Sequence, residues 1–262
     1  MKVKNKDLAA QFLELSEYQG NDKVITSYDM KAIVEQMPKV VPVMSKLPQL
    51  DKHTGGFLPG ELIAISGPRK AGKTLLAQTL TTNFAKQDVM SLWFTYELSA
   101  REFINRFPGE LPVFTMPSKL KANSLEWLQE RILEALAKYG IKTVFVDHLH
   151  FLFDLARMRN TSIEIGQVIR TLKTMAIELN ITIFLMCHTS KLDPYAEPGD
   201  DGIRDSSFVS QESDCAIMIW RNVQSDNEAW LKVCFHRRTG VLEKKIKLVK
   251  VDGLLKEAVC IP

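Results

Sequence analysis

Residues Gly67 to Thr74 read GPRKAGKT, and their spacing, G-x-x-x-x-G-K-T, is typical of a loop that binds phosphate groups. Glycines let backbone N–H groups close around phosphate oxygens, a lysine reaches the β- and γ-phosphates, and a hydroxyl ligates Mg²⁺. Gly67, Gly72, Lys73 and Thr74 fill these four roles. The alternative is an ordinary turn that happens to contain glycines.

The residues on either side of the loop favour the phosphate-binding interpretation. Leu62 to Ser66 (LIAIS) predicts a short buried strand, and Thr74 to Ala85 predicts a helix. A helix that begins at the loop would turn its N-terminal amides toward an anion. We expect Arg69, Ala71 and Leu75 to complete the nucleotide contacts.

Length and composition indicate an ordinary globular protein. The 262 residues are 45% hydrophobic and 25% charged, enough for one large domain or two small ones. Lys plus Arg number 34 against 31 acidic residues, and this net charge of +3 neither requires nor excludes nucleic acid as a partner.

The cysteines and the N-terminus predict the compartment. Cys187, Cys215, Cys234 and Cys260 show no C-x-x-C spacing, so we interpret them as buried thiols of a reducing compartment rather than metal ligands. The chain shows no apolar core of a signal peptide and no run of about 18 apolar residues. A cytoplasmic location without a membrane partner is therefore expected.

The pattern along the chain predicts an extension followed by an α/β domain. Residues 1–46 are interpreted as a linker with one or two helices, and residues 47–262 as the nucleotide-binding domain. From Gly56 onward apolar runs alternate with helical patterns, which predicts a mostly parallel sheet with helices on both faces. After Ala229 the runs WLKVCFH and KKIKLVKV alternate apolar with polar residues, as in an antiparallel hairpin at the sheet edge.

Two carboxylates are expected at the edge of the sheet where the phosphate loop lies. Asp147 ends the apolar run that starts at Thr143, and it is the candidate for Mg²⁺ contact, a helix-capping aspartate being the alternative. Glu97 follows another apolar run, SLWFTY, and could polarise an attacking water as general base. Taken alone, Glu97 is equally a solvated charge.

A histidine and a long loop follow at the same edge. His188 ends the run TIFLMC and could bond the γ-phosphate as a sensor, although a lone histidine is usually structural. Residues 190–207 are rich in Gly, Pro and Asp, which predicts a long loop of functional interest.

Five motifs together resemble a known family. The glycine-rich loop is followed in order by YELS, VFVDHLH, LMCHTSK and IRDSSFVSQESDCAIMIWRN. Their order and approximate spacing are similar to those of the DnaB-like replicative helicases, RecA-like ATPases that include the phage T7-type and mitochondrial Twinkle helicases. The run IRDSSFVSQESD resembles the family's L-R-E-S-G-A-I-x-Q-x-A-D without a gap. The resemblance covers roughly Leu47 to Lys256.

The resemblance implies a RecA-like P-loop ATPase that assembles as a ring, usually a hexamer, and holds single-stranded DNA in the central channel. ATP and Mg²⁺ would bind between subunits, with a loader or a primase as a further candidate partner. Under this resemblance Glu97 is the catalytic base, Asp147 the Walker B carboxylate and His188 the γ-phosphate sensor. DnaB has glutamine at the sensor position and the T7-type enzymes have histidine.

The resemblance also assigns DNA contacts. Lys191 and Arg204 would bind DNA from the 190–207 loop, and Arg159 lies where the family places its other DNA loop. A solvated charge is the alternative for Arg159. The 190–207 loop also carries five acidic residues, an unfavourable composition for binding phosphates: Asp193, Glu197, Asp200, Asp201 and Asp205.

The segment FHRRTG, Phe235 to Gly240, resembles the one that supplies an arginine finger to a neighbouring subunit's ATP. A guanidinium meets γ-phosphate oxygens bidentately and stabilises transition-state charge. Aligning on Thr-Gly selects Arg237 and aligning on Arg-x-Gly selects Arg238; we favour Arg237. The alternative is a basic turn at the end of a hairpin.

Three functions follow from these patterns. The leading one is an ATP-dependent DNA helicase or translocase. The second is a RecA-, RadA- or KaiC-like ATPase of recombination, repair or regulation, without unwinding. The third is a partner that binds ATP without hydrolysing it, which the set Lys73, Thr74, Glu97 and Asp147 disfavours.

Overall fold

The protein is described by a computed structural model, which covers residues 8–152, 161–187, 197, 207–222 and 225–258. The chain divides into two compact units, one ending at Val40 and the other beginning at Val41. The predicted boundary between residues 46 and 47 stays a prediction.

The first unit contains two helices, α1 (Leu8–Ser16) and α2 (Ser27–Gln36). A capping box begins α2: the Asp29 N–H donates to Thr26 Oγ1, and the Thr26 N–H donates to Asp29 Oδ2, each over 3.2 Å. This reciprocal pair satisfies backbone donors that a helix N-terminus leaves without intrahelical acceptors.

The second unit is built on a mixed sheet. Its strands are β1 (Leu62–Ser66), β2 (Ser91–Thr95), β3 (Thr143–Asp147), β4 (Thr182–Met186), β5 (Cys215–Asn222), β6 (Ser225–His236), β7 (Val241–Val251) and β8 (Leu254–Glu257). In the order β2-β3-β4-β1-β5 the neighbours are parallel, and β5-β6-β7-β8 are antiparallel. This confirms the predicted α/β fold and its antiparallel edge hairpin, and adds β8 to it.

Helices cover both faces of this sheet. They are α3 (Pro48–Thr54), α4 (Lys73–Ala85), α5 (Ala100–Asn105), α6 (Leu125–Tyr139), α7 (Thr161–Glu178) and α8 (Ser207–Glu212), with a 3₁₀ turn at Leu149–Leu152. Successive strand residues point to opposite faces, so Ile63 and Ile65 of β1 pack in the core beside α4. Leu62 and Ala64 pack in the second core, beside α6 and α7. Burial on both faces explains why β1 is continuously apolar.

The pattern missed α6, the helix between β2 and β3. One short helical pattern, SAREFINRF, stands between these strands in the sequence, and it corresponds to α5. The missed signal was present: the Ser124 hydroxyl accepts from the Trp127 N–H, and Gly140 ends the helix at a φ of +61°. Leu128, Ile132 and Ala135 form its buried stripe.

Candidate functional site

The loop between β1 and α4 depends on glycine at both positions of the motif. Gly67 has a φ of +150°, and a Cβ at this residue would lie 2.2 Å from the Ile219 carbonyl oxygen of β5. Only a residue without a side chain allows β5 to pass this close. Gly72, with a φ of +104°, lies immediately before α4 and lets the chain turn into the helix.

Lys73 lies inside the curve of this loop. Its residue surface is 5% exposed, and its ammonium donates to the carbonyl oxygens of Gly67 at 2.8 Å and Pro68 at 2.9 Å. Burial lowers the pKa of Lys73 to about 8, against the opposing influence of the Glu97 and Asp147 carboxylates. The loop therefore closes around a buried cation that faces two carboxylates.

Thr74 and Asp147 meet at the C-terminal edge of the sheet. The Thr74 hydroxyl donates to Asp147 Oδ2 over 2.9 Å, and Asp147 is 1% exposed at the end of β3. Burial raises the pKa of Asp147, and the hydrogen bond from Thr74 lowers it in part. The pair presents two hard oxygen donors, the type that Mg²⁺ prefers.

Glu97 lies two residues beyond β2 and is oriented by His148, a residue that the sequence analysis did not single out. His148 Nε2 is 3.1 Å from Glu97 Oε1. The His150 backbone N–H donates to His148 Nδ1 over 3.3 Å. Since a backbone N–H only donates, Nδ1 is the acceptor nitrogen of the neutral ring, so Nε2 carries the proton and donates to Glu97. The signal that could have found His148 was its position directly after Asp147.

Lys73, Thr74, Glu97 and His148 line one cleft of about 690 Å³. The cleft contains the loop residues Arg69 to Leu75, with Glu97 and His148 opposite them. Tyr96 and Phe151, stacked at 5.5 Å, form an aromatic wall. A larger cavity of about 790 Å³ is lined by lysines and by residues from the second half of α4, but it contains none of the motif residues, so size alone does not identify the site.

Four of the predicted site residues lie outside the described residues. They are the sensor candidate His188 and the DNA-binding candidates Arg159, Lys191 and Arg204. Of the others, Glu97 and the loop residues from Arg69 to Leu75 line the cleft, Asp147 bonds Thr74 beside it, and Arg237 and Arg238 lie elsewhere. Of the predicted buried thiols, Cys187, Cys215 and Cys234 are buried.

Arg237 and Arg238 lie at the edge of the sheet where the parallel strands begin, opposite the edge that carries the phosphate loop. Cys215, the first residue of β5, pairs with His236 at the end of β6 and with Ile63 near the start of β1. The two arginines follow His236, and the phosphate loop follows Ser66 at the far end of β1. A five-residue strand spans about 16 Å, which is farther than an arginine side chain extends.

The two arginines have different environments. Arg238 Nε donates to Glu61 Oε1 over 2.8 Å, and its Nη2 donates to the Thr54 and Gly56 carbonyls at 3.0 and 2.8 Å. Arg237 is exposed, and its guanidinium donates to the Gln211 carbonyl oxygen at the surface. Both residues are exposed, but Arg238 makes three hydrogen bonds within its own domain, whereas the Arg237 guanidinium donates to a surface carbonyl.

A strand, a glycine-dependent phosphate loop and a helix, with a carboxylate at the end of β3 on the far side of β4, define the class of P-loop nucleotide-binding α/β domains. Residues 42–110 and 110–250 match the family described as the DnaB-like helicase C terminal domain. The chain belongs to this family.

Relatives and solved structures agree with this assignment. The chain is similar to the replicative DNA helicase DnaB of Haemophilus influenzae, with 22% identity over 243 residues that cover 79% of the chain and 52% of the relative. The chain therefore spans about half the length of this relative. No described helix is long and apolar enough to cross a membrane.

Two solved structures share the fold. A DnaB-like replicative helicase studied with its primase interactions superposes with a TM-score of 0.71 at 19% identity, covering 95% of this chain and 70% of the other. The ATPase domain of another protein gives a TM-score of 0.70 at 20% identity, covering 88% of this chain and 96% of the other.

Proposed function

We propose that the protein is the motor domain of a ring-forming, ATP-dependent DNA helicase or translocase that moves on single-stranded DNA. The observation that carries the proposal is that Lys73, Thr74 and Glu97 line one cleft, with Asp147 bonded to Thr74, in a domain of the DnaB-like family. The relative from Haemophilus influenzae is named a replicative DNA helicase.

The phosphate loop and α4 would bind the triphosphate of ATP. Backbone N–H groups from Gly67 to Thr74 and the first turn of α4 would face phosphate oxygens. The Lys73 ammonium, now bonded to two loop carbonyls, would exchange them for the β- and γ-phosphate oxygens. Arg69, Ala71 and Leu75 line the same cleft and complete the proposed nucleotide contacts.

The Thr74–Asp147 pair fits Mg²⁺, because it offers two oxygen ligands at 2.9 Å from each other beside the phosphate loop. When bound there, Mg²⁺ would supply positive charge that neutralises the charge developing on the phosphates. Asp147 would also hold the Thr74 hydroxyl in place before the metal arrives.

Glu97 would act as general base. One of its oxygens accepts from His148, which fixes the plane of the carboxylate. In this position the carboxylate would take a proton from the attacking water. His188 remains the proposed γ-phosphate sensor on the strength of its motif.

The arginine finger would act on a neighbouring subunit. A finger at the opposite edge of the sheet from its own phosphate loop cannot complete its own site, whereas a head-to-tail ring places this edge against the next subunit's cleft. This favours a ring, proposed as a hexamer, and predicts that a monomer is nearly inactive.

The remaining partners are also proposals. DNA contacts are assigned to Lys191, Arg204 and Arg159 from the motifs alone. One solved relative was studied with primase, so a primase or a loader is a proposed partner of this chain too. A cytoplasmic location stays a prediction.

The test is the steady-state ATP hydrolysis rate at low salt, with and without a poly-dT oligonucleotide, across protein concentrations that allow assembly. We expect a rate per subunit that rises with concentration and several-fold stimulation by DNA. The Lys73→Ala variant is the matched control and should not hydrolyse ATP. A hydrolysis rate that is the same with and without DNA would instead favour a RecA-, RadA- or KaiC-like regulatory ATPase.

A further inference from the structure

Arg237 is flanked by two residues that face the same buried carboxylate. Glu61, 7% exposed, accepts from Arg238 Nε at 2.8 Å, and His236 Nε2 lies 3.6 Å from the same oxygen. The other oxygen of Glu61 accepts from the Leu58 N–H over 2.7 Å. The residues before and after Arg237 are therefore held against one point of the domain.

Arg238 is bonded through two nitrogens of its guanidinium, Nε and Nη2. Besides Glu61, it binds the carbonyls of Thr54 and Gly56 at the end of α3, at 3.0 and 2.8 Å. Burial alone would raise the pKa of Glu61, but the nearby His236 ring and the hydrogen bonds from Arg238 and the Leu58 N–H keep this pKa below its usual value. Glu61 stays ionised, so the pair is charge-assisted.

The backbone of Arg237 is held as well. Its N–H donates to the Asp214 carbonyl over 2.8 Å. The Asp214 carboxylate in turn accepts from the Leu62 N–H and from Lys173, each over 2.7 Å. The position of the Arg237 Cα is thus determined by contacts on both sides, while its exposed side chain donates to the Gln211 carbonyl at the surface.

We propose that Glu61 and Arg238 form a clamp that positions Arg237 toward the nucleotide of the adjacent subunit. This inference rests on the proposed function, and in particular on a finger that acts in trans. In the clamp Glu61 and Arg238 are positioning residues, and Arg237 alone touches the neighbour's phosphate. For Arg238 to be the finger, it would have to give up three hydrogen bonds within its own domain.

The clamp also joins two sites through one strand. Glu61 immediately precedes β1, and Gly67 of the phosphate loop immediately follows it. β1 is buried along its whole length, so the strand moves as a unit with the layers on both faces. A subunit's own nucleotide cleft and the finger that it provides to its neighbour thus lie at opposite ends of β1.

Complementation in mixed rings separates this role from a general structural one. Glu61→Gln removes the charge and keeps the shape, and Lys73→Ala disables a subunit's own cleft while leaving its finger edge intact. Alone, Glu61→Gln should lower kcat by roughly 10- to 100-fold, as expected for a misplaced catalytic group, with unchanged nucleotide affinity. A 1:1 mixture of Glu61→Gln and Lys73→Ala should regain up to about a quarter of the wild-type rate. This is the share of interfaces at which an intact cleft faces an intact finger when the two variants assemble at random.

Two controls interpret the result. Arg237→Ala mixed with Lys73→Ala tests the finger itself and should complement in the same way. Glu243→Gln changes a carboxylate that pairs with Lys232 on the same hairpin, away from the clamp, and should retain wild-type activity. If Glu61→Gln lowers thermal stability markedly, Arg238→Lys provides the second test, since lysine cannot form the same three bonds.

The outcomes are distinct. Complementation by both Arg237→Ala and Glu61→Gln supports the clamp. Complementation by Arg237→Ala but not by Glu61→Gln overturns the clamp and leaves the trans finger standing. Failure of the Arg237→Ala mixture overturns the trans finger, and the clamp with it.

Discussion

The Thr74 hydroxyl donates a hydrogen bond to Asp147 Oδ2 over 2.9 Å, although 73 residues separate the two in the chain. The bond joins the first turn of α4 to the end of β3. Strand β1 leads into α4 and is separated from β3 only by β4, so both elements lie at the same edge of the sheet. The bond places a hydroxyl and a carboxylate, the two proposed Mg²⁺ ligands, beside the phosphate loop.

Replacing Thr74 should separate the metal-binding role from the fold. Thr74→Val keeps the shape but removes the hydroxyl, and we expect the Mg²⁺ concentration for half-maximal hydrolysis to rise by at least about tenfold. Thr74→Ser keeps the hydroxyl and should remain near wild type. Mg²⁺ titrations of ATPase activity measure this, and equal midpoints for the two variants would remove Thr74 from the metal site.

Nucleotide affinity should depend on pH through Lys73. Burial lowers its pKa to about 8, so the free protein loses this charge as pH rises through 8, whereas bound phosphates keep the lysine protonated. ATP affinity should therefore be level below pH 8 and fall about tenfold per pH unit above it, with net proton uptake on binding. Calorimetry at pH 8.5 in buffers of different ionisation enthalpy measures the uptake.

Lys73→Arg is the control for this effect. Its guanidinium stays charged, so whatever affinity it retains should be independent of pH between 7 and about 9.5. A wild-type profile that is flat across the same range would contradict a neutral Lys73 in the free protein.

The pair formed by Glu97 and His148 should control hydrolysis rather than binding. Glu97→Gln should lower kcat by roughly 100- to 10,000-fold and leave ATP affinity nearly unchanged, because only proton transfer is lost. His148→Gln can still donate to Glu97, whereas His148→Phe keeps a ring next to Phe151 but cannot donate. We expect the glutamine variant to retain more of kcat than the phenylalanine variant; the reverse order would show that the ring, not the hydrogen bond, matters.

Gly67→Ala should disrupt the phosphate loop. Its Cβ would lie 2.2 Å from the Ile219 carbonyl oxygen, so β5 or the loop must shift. We expect the free energy of unfolding to fall by roughly 3 kcal/mol or more, as for other severe backbone clashes, or the variant to lose ATP binding. Gly109→Ala is the matched control, since it also has a positive φ, +67°, but nothing lies near its Cβ. The free energy of unfolding of that variant, measured by thermal or chemical denaturation, should fall by only about 1 kcal/mol.

Local sequence patterns predicted much of the nucleotide site. The phosphate loop requires glycines and a lysine at set spacing, and a strand buried on both faces must be continuously apolar, so Leu62–Ser66 and Gly67–Thr74 could be predicted from their residues. The same holds for Asp147, because the carboxylate directly follows an apolar run. The roles of Glu97 and His188 stay predictions.

Other features depended on contacts between distant segments. Nothing in the residues around His148 shows that Glu97 lies 3.1 Å away, because the contact needs the parallel pairing of β2 and β3. The choice between Arg237 and Arg238 was likewise open, since each follows from a reasonable alignment. In the structure the two differ because Arg238 binds Glu61, which lies 177 residues away along the chain.

The sequence by itself therefore determined the chemistry of the phosphate loop and the class of the fold, because both are written in residues that lie next to one another and repeat with the period of a strand or a helix. Only the tertiary structure decided which carboxylate meets which partner and which edge of the sheet carries the arginines. Strand order places residues distant in the chain at one edge or at opposite edges, and no local spacing encodes that order.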